Sequence, residues 1–428
     1  MELNPKNYVL NRLQSIMALL ISAAIMCVGH GLLNTVIGLR ANAENYSDFV
    51  IGLMTSSYFF GFVLGTYACG KLVPRVGHIR CFAIFASLAS ALTLLLVLRV
   101  DPVTWIFVRL VYGACMAAIY MVMESWLNLI SKNEERGQIL SFYMITVYLG
   151  LAASQGFMLL ASPQSYILFA VASVLLSFSL IPVAGSRTPQ PRMRKSENFT
   201  LKQLFQTSYL ATTGVFTTGL INGSFWGLAP IYLSNIGMTD ARVGWFIAFQ
   251  YLGGLILQWP IGYLSDKIKR RSVIVVMLFI STIVSLYLYA LTPDGSMKLF
   301  ILFLAGAFLF GGINSTLHSL FLAHANDFLK PNQVVKASGG LLTVHALGAM
   351  IGPLIATVFI EYFEDPGLVL FTACASLVAF SFSVFRLFTG RKVPKTTKAW
   401  FVPVPRAEAR VGKLDPRRYV GGRSHPDS

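Results

Sequence analysis

Long stretches that contain no Lys, Arg, Asp or Glu constrain this chain more than any other feature of its sequence. Such runs cover 13–39, 49–70, 81–98, 138–186, 203–239, 243–265, 272–293, 299–326, 337–360 and 367–385. Segment 104–130 is equally apolar apart from Arg109 and Glu124, and 138–186 is broken by the turn-forming Ser162-Pro163-Gln164-Ser165. The result is twelve segments, each near the roughly 20 residues a helix needs to cross the hydrocarbon core of a bilayer. Lipid offers a backbone amide no hydrogen-bond partner, so the segments are expected to be helices. They lack the alternating pattern of outer-membrane barrel strands. The expectation is an all-α membrane protein with twelve transmembrane helices.

Composition agrees. Of 428 residues, 55% are hydrophobic and only 12% charged, and the mean hydropathy is +0.65. A soluble domain carries about twice that charge, so a soluble enzyme, a disordered chain and a collagen-like fibre are excluded. The net charge of +16 does not point to nucleic acid, because the basic residues sit in short gaps between apolar runs and in the tail. Five cysteines (Cys27, Cys69, Cys81, Cys115, Cys374) form no CxxC pair and read as small core residues, not as disulfides or metal ligands. The first apolar run is longer than a signal-peptide core, so a cleaved leader is not expected.

Lys and Arg in the gaps set the orientation. If the N-terminus is cytoplasmic, the inner gaps up to Lys336 hold 18 basic residues and the outer ones only Arg40, Arg99, Arg242 and Lys298. This bias places both termini in the cytoplasm.

Two of the inner gaps resemble each other. One reads Gly70-Lys71-Leu72-Val73-Pro74-Arg75-Val76-Gly77-His78-Ile79-Arg80, the other Gly262-Tyr263-Leu264-Ser265-Asp266-Lys267-Ile268-Lys269-Arg270-Arg271. They lie nearly half a chain apart. Between them runs the polar linker 187–205. The organisation read from this is a cytoplasmic N-terminus (1–12), a six-helix half (13–186), a basic linker (187–205), a second six-helix half (206–390) and a basic cytoplasmic tail (391–428). Parallel repeats of this kind are typical of secondary transporters.

These loops resemble the Gly-x-Leu-x-Asp-Arg-x-Gly-Arg-Arg signature of the major facilitator superfamily, and Arg109-Leu110-Val111-Tyr112-Gly113 resembles its Arg-x-x-x-Gly motif. Glu124-Ser125-Trp126-Leu127-Asn128 and Ala323-His324-Ala325-Asn326-Asp327 are similar to the poorly characterised bacterial YcaD-like group. The resemblance spans roughly residues 10–390. It implies two-half transport by alternating access, a gating role for Gly70, Arg75, Gly77, Gly262, Asp266 and Arg270, and a link between Arg109 and proton coupling. One departure is Pro74, which stands where the family has an aspartate; only the second loop keeps an acid, Asp266. A second is Ser154-Gln155, where drug antiporters of the superfamily carry Gly-Pro.

Charged groups at membrane depth are costly and usually face a cavity. Glu124 is the one carboxylate well inside a span. With Gly113, Ala117, Tyr120 and Asn128 it shares a helix face. It reads as a proton-binding carboxylate, since an apolar setting disfavours the charged form, or as a structural acid paired with Arg136 or Lys132. Arg109 stands about 22 Å of helical rise away and reads either as the family's motif arginine or as a side chain snorkelling to the outer interface. His30, His318 and His345 are further proton-coupling candidates, or else hydrogen-bonding links between helices. Asn34, Tyr58, Tyr120, Trp226, Gln250 and Asn314 are candidates for the substrate cavity, with Phe59, Phe225, Gln258 and Trp259 nearby. The expected function is inner-membrane transport of a small organic solute by a monomer, with no cofactor and a proton as coupling ion. Sodium-coupled or facilitated movement, and a transport-dead sensor or lipid scramblase on the same fold, are the alternatives. No nucleotide site, metal cluster or nucleophile–base pair marks an enzyme.

Overall fold

The computed structural model describes residues 5–131, 135–185, 201–291, 296–329 and 331–389. Residues 187–200 of the linker, the tail 391–428, Lys132 and the side chain of Arg136 lie outside the described residues. Every element among the described residues is helical. In chain order they are α1 (Pro5–Ala43), α2 (Asp48–Val76), α3 (His78–Leu98), α4 (Pro102–Ile130), α5 (Arg136–Ser154) running into a 3₁₀ turn (Gln155–Leu159), α6 (Tyr166–Phe178), α7 (Leu180–Ala184), α8 (Leu201–Thr207), α9 (Tyr209–Asn235), α10 (Asp240–Lys267), α11 (Arg270–Ala290), α12 (Met297–Asn326), α13 (Pro331–Phe363) and α14 (Gly367–Thr389). Ten helical segments are long and apolar enough to cross a membrane. The two other long helices, α9 and α10, are 27 and 28 residues.

The helix starts follow from residues at the gaps. Ser47, Asp101, Ser165, Ser208, Thr239 and Ser296 each accept a hydrogen bond from a backbone N–H in the first turn, supplying partners that the helix itself leaves unmade. The turn from α2 to α3 is made by Gly77 alone, at φ 88°, a conformation that a side chain would strain. Its second-half counterpart is made by Ile268 and Lys269 with extended backbones and needs no glycine.

The packing repeats. In the first helix group, α1 runs along α5, α2 along α4, and α3 lies against α4 and α6. In the second, α9 runs along α13, α10 along α12, and α11 lies against α12 and α14. Glycines set the closest approaches in the same way on both sides. A methyl at Gly61 would strike the Leu110 carbonyl and one at Gly253 the Phe308 carbonyl; Gly113 lies on the Tyr58 carbonyl and Gly311 on that of Gln250. Tyr58 and Gln250 therefore hold equivalent places, as do Arg109 and Ala307, each four residues before its glycine. Outward-facing side chains of the bundle are apolar, including Leu88, Phe279, Ile283, Val378 and Phe388, the last 85% exposed. Such a surface is stable against lipid and not against water.

The two groups meet at the end where α2 and α10 begin. There Gly52 lies against Pro353 and Thr357, Gly38 against Pro230, Gly227 against Thr55, and Gly244 against the Gln155 carbonyl. Asn42 donates to Asn235 (2.8 Å), which donates to Asp365 (2.7 Å).

Candidate functional site

Below this seal, between the groups, lies a cavity of about 1060 Å³ including its mouth. Both groups contribute walls: His30, Asn34, Tyr58, Arg109 and Tyr120 from the first, Asn222, Trp226, Gln258, His318 and His345 from the second.

Arg109 does not reach toward an outer interface. It is buried and turned inward. Its Nη1 donates to Asn34 Oδ1 (3.0 Å), and its guanidinium carbon lies 4.5 Å from the Tyr58 ring centre and 5.8 Å from that of Tyr112, a cation–π arrangement. That bond orients the Asn34 amide so that its Nδ2 donates to His30 Nε2 (3.1 Å). An acceptor at Nε2 leaves the proton on Nδ1, which stands 3.1 Å from Tyr112 Oη. Arg109, Asn34, His30 and Tyr112 thus form one directed chain across α4 and α1. The i, i+4 spacing of His30 and Asn34 makes this possible, because it stacks them on one helix face.

The opposite wall carries a different arrangement. His318 on α12 and His345 on α13 lie with ring centres 4.2 Å apart. Thr218 Oγ1 is 3.4 Å from His318 Nδ1, and Gln258 Nε2 donates to Ser319 Oγ (2.9 Å). The two histidines come from helices a sequence reading does not bring together.

Other sequence candidates stand away from the cavity. Glu124 is buried at the seam of α4 and α5, where Tyr143 Oη donates to its Oε1 (3.5 Å). Gln250 packs on Gly311. Asn314 accepts from Ser281 (3.2 Å) and donates to the Phe310 carbonyl (3.0 Å), facing α11. Phe225 belongs to an aromatic core with Phe246 and Phe310, and Trp259 is exposed on the outer surface. Tyr112, Tyr148, Asn222, Tyr251, Ser315 and Ser319 were not singled out from the sequence, although Tyr112, three residues beyond Arg109, shares its face.

The loop candidates divide. Arg270 is buried, donating to Asp266 (2.7 Å), Asp327 (2.6 Å) and the Ala323 carbonyl (3.1 Å); His324 stands 3.8 Å from Asp327. Gly262 is buried within α10 beside this cluster. At the equivalent first-group corner, Gly70 has room around it, Arg75 is exposed, and His78, 3.1 Å from Ser125 Oγ, occupies the place of Arg270. No group of three His, Cys, Asp or Glu able to hold a metal occurs among the described residues. Cys27, Cys69, Cys81, Cys115 and Cys374 are all free thiols.

Comparison with known proteins fits this architecture. The Major Facilitator Superfamily profile matches residues 19–238 and 211–417, and the chain belongs to that family. It is 28% identical over 368 residues to the uncharacterized MFS-type transporter YE1530 of Yersinia enterocolitica, covering 85% of this chain and 93% of the relative. It is also 28% identical over 370 residues to the uncharacterized MFS-type transporter YcaD of Escherichia coli K12, covering 85% and 94%. Among solved structures it resembles the nucleoside transporter NupG (TM-score 0.72, 12% identity, 86% of this chain and 99% of that one). It also resembles a bacterial homolog of the human lysosomal transporter Spinster in an inward-facing, occupied conformation (TM-score 0.68, 14% identity, 87% and 96%). These relatives and neighbours are transporters, not enzymes, and the chain is a multi-pass membrane protein.

Proposed function

We propose that this member of the major facilitator superfamily is an inner-membrane secondary transporter that moves a small organic solute by alternating access, coupled to protons. Twelve helices cross the membrane in two halves of six, α6 and α7 together forming one span and α9 and α10 completing the count. The last two are less apolar because they present Asn222 and Gln258 to the cavity. The carrying observation is the cavity itself: walled by both halves, placed at their interface and sealed at one end. The 18-to-4 basic bias supports a cytoplasmic position for the α2–α3 end. The seal then lies on the outer side, and the conformation is inward-facing.

The His318–His345 pair supports proton coupling. Two charges about 4 Å apart repel by about 4 kcal/mol at an effective dielectric of 20, so the pair carries no more than one proton at a time. Glu124, at the α4–α5 seam, is assigned a structural role. The protein acts as a monomer with the proton as its one coupling ion and no cofactor.

The test is reconstitution of the full chain in proteoliposomes with a trapped pH dye and a panel of organic solutes. Solute-dependent proton flux is expected. Lipid flipping without solute flux would support the scramblase reading, and neither activity would support the sensor reading; each would overturn this one.

A further inference from the structure

Among the described residues lining the cavity, Arg109 is the only Lys, Arg, Asp or Glu. The side chain is 6% exposed. Among the described residues its guanidinium makes one hydrogen bond, from Nη1 to the neutral Asn34, while Nε is buried without a partner. Among the described residues, buried Glu124 sits at the α4–α5 seam, and Asp266 and Asp327 are engaged by Arg270.

A buried cation without a counter-ion is costly, by several kcal/mol even after relaxation. The Asn34 amide and the rings of Tyr58 and Tyr112 offset part of that cost. The Nε edge is left, and this edge of an arginine matches a planar carboxylate with two parallel hydrogen bonds. The surroundings define the rest of the ligand. Tyr58, Phe59, Phe62, Tyr120 and Trp226 line the same space, which suits an apolar or aromatic body.

We infer that the transported solute is an organic carboxylate with an apolar or aromatic body, its anionic group docked on Arg109. This rests on the transport reading for the word "transported", but the site itself is testable by binding alone. A carboxylate docked at Arg109 and a proton at the histidine pair lie at separate places: Arg109 and Tyr120 are about 16 Å of rise apart on α4, and Tyr120 and His318 are equivalent, each seven residues beyond the glycine that packs α4 on α2 or α12 on α10. Both are therefore able to occupy the cavity together.

The experiment uses the purified full chain in detergent. Its thermal unfolding is followed against benzoate, phenylacetate, indole-3-acetate and hexanoate, beside their primary amides and the corresponding amines. At least one carboxylate is expected to raise the unfolding temperature while its amide and amine do not. Arg109→Gln should weaken that effect at least tenfold and Arg109→Lys by less. Because Arg109→Gln removes a buried group, a second variant guards against misfolding: Asn34→Asp builds a counter-ion beside Arg109. It should match or exceed the wild type in stability and still lose carboxylate binding at least tenfold. Stabilisation by amides or amines, no response to any carboxylate, or undiminished carboxylate binding in Asn34→Asp overturns the inference. Loading proteoliposomes with the stabilising carboxylate separates the two claims. A carboxylate that binds at Arg109 but never moves defeats the transport reading and leaves the site intact, whereas movement of a neutral solute does the reverse.

Discussion

The two helix groups share a packing plan and differ in where they place charge. Both bring their second and fourth long helices together over glycines that touch carbonyls. On that common frame the first group puts its buried cation in the cavity, Arg109, and at its α2–α3 corner buries His78 on Ser125. The second group does the opposite. Ala307 stands where Arg109 does, and the charges are gathered at the α10–α11 corner, where Arg270 bridges Asp266 and Asp327. A repeated scaffold thus carries two unlike sets of side chains: an arginine wall with a histidine–serine corner, and an imidazole wall with an arginine–carboxylate corner. The packing is shared because backbone approach depends on small residues at fixed steps. The chemistry is free to diverge because it depends on single side chains projecting from that frame.

The largest difference should appear at the hinges. Asp327→Asn leaves buried Arg270 with Asp266 as its remaining carboxylate partner, and loss of a charged hydrogen bond of this kind costs about 1.5–3 kcal/mol. Unfolding of the purified protein should show that loss. Ser125→Ala, at the His78 corner, removes the hydroxyl that meets His78 and should cost about 0.5–1.5 kcal/mol. Equal losses at the two corners would erase the distinction between them.

Glu124→Gln sharpens the contrast between cavity and seam. Its carboxylate accepts from Tyr143 and does not line the cavity. Solute-driven proton flux should stay within about twofold of wild type, since a group outside the solute path contributes little to differential binding. A complete loss of coupling would return the proton site to α4.

The smallest effect concerns the caps of the two equivalent helices, α4 and α12. Asp101 caps the first and Ser296 the second. Hydrogen bonds from the Thr104 side chain and backbone hold the Asp101 carboxyl below its ordinary range. A group lowered in this way stabilises the folded state above its unfolded value, and that contribution fades as pH falls through the lowered one. The protection of first-turn amides of α4, measured as exchange relative to the intrinsic rate at each pH, should therefore fall on acidification, while that of α12 at Ser296 stays flat. Parallel behaviour of the two ends would contradict this.

Much of the fold was legible in the sequence, for a physical reason: lipid imposes one solution on a charge-free run. The ten segments that satisfy length and apolarity were readable as runs, and so was the Gly70/Gly262 repeat. The site was legible only in part. His30 and Asn34 lie four apart on one helix, so their contact follows from local geometry. The His318–His345 contact does not, because it needs the α12 and α13 faces to converge. Arg109 was ambiguous for the same reason, since residue spacing gives its depth and not its direction. Glu124 drew attention as the lone acid in a span, but rarity marks a buried charge without saying which seam it faces. Gln250 and Asn314 have polar side chains at plausible depth and point into helix seams, where each meets a neighbour that the sequence does not reveal. At the hinges, the Asp266 and Arg270 pattern was visible, whereas Asp327, 57 residues beyond Arg270, joins them only through the fold.

We propose that the second half's imidazole pair carries the proton while the first half's arginine holds the solute. The most direct test is accumulation of the stabilising carboxylate in proteoliposomes under an imposed pH gradient, comparing wild type with a His318→Asn, His345→Asn double variant. The account predicts that wild type concentrates the carboxylate in response to the gradient, while the double variant exchanges labelled for unlabelled carboxylate at a comparable rate and no longer concentrates it. Gradient-driven accumulation that survives loss of both histidines would contradict it.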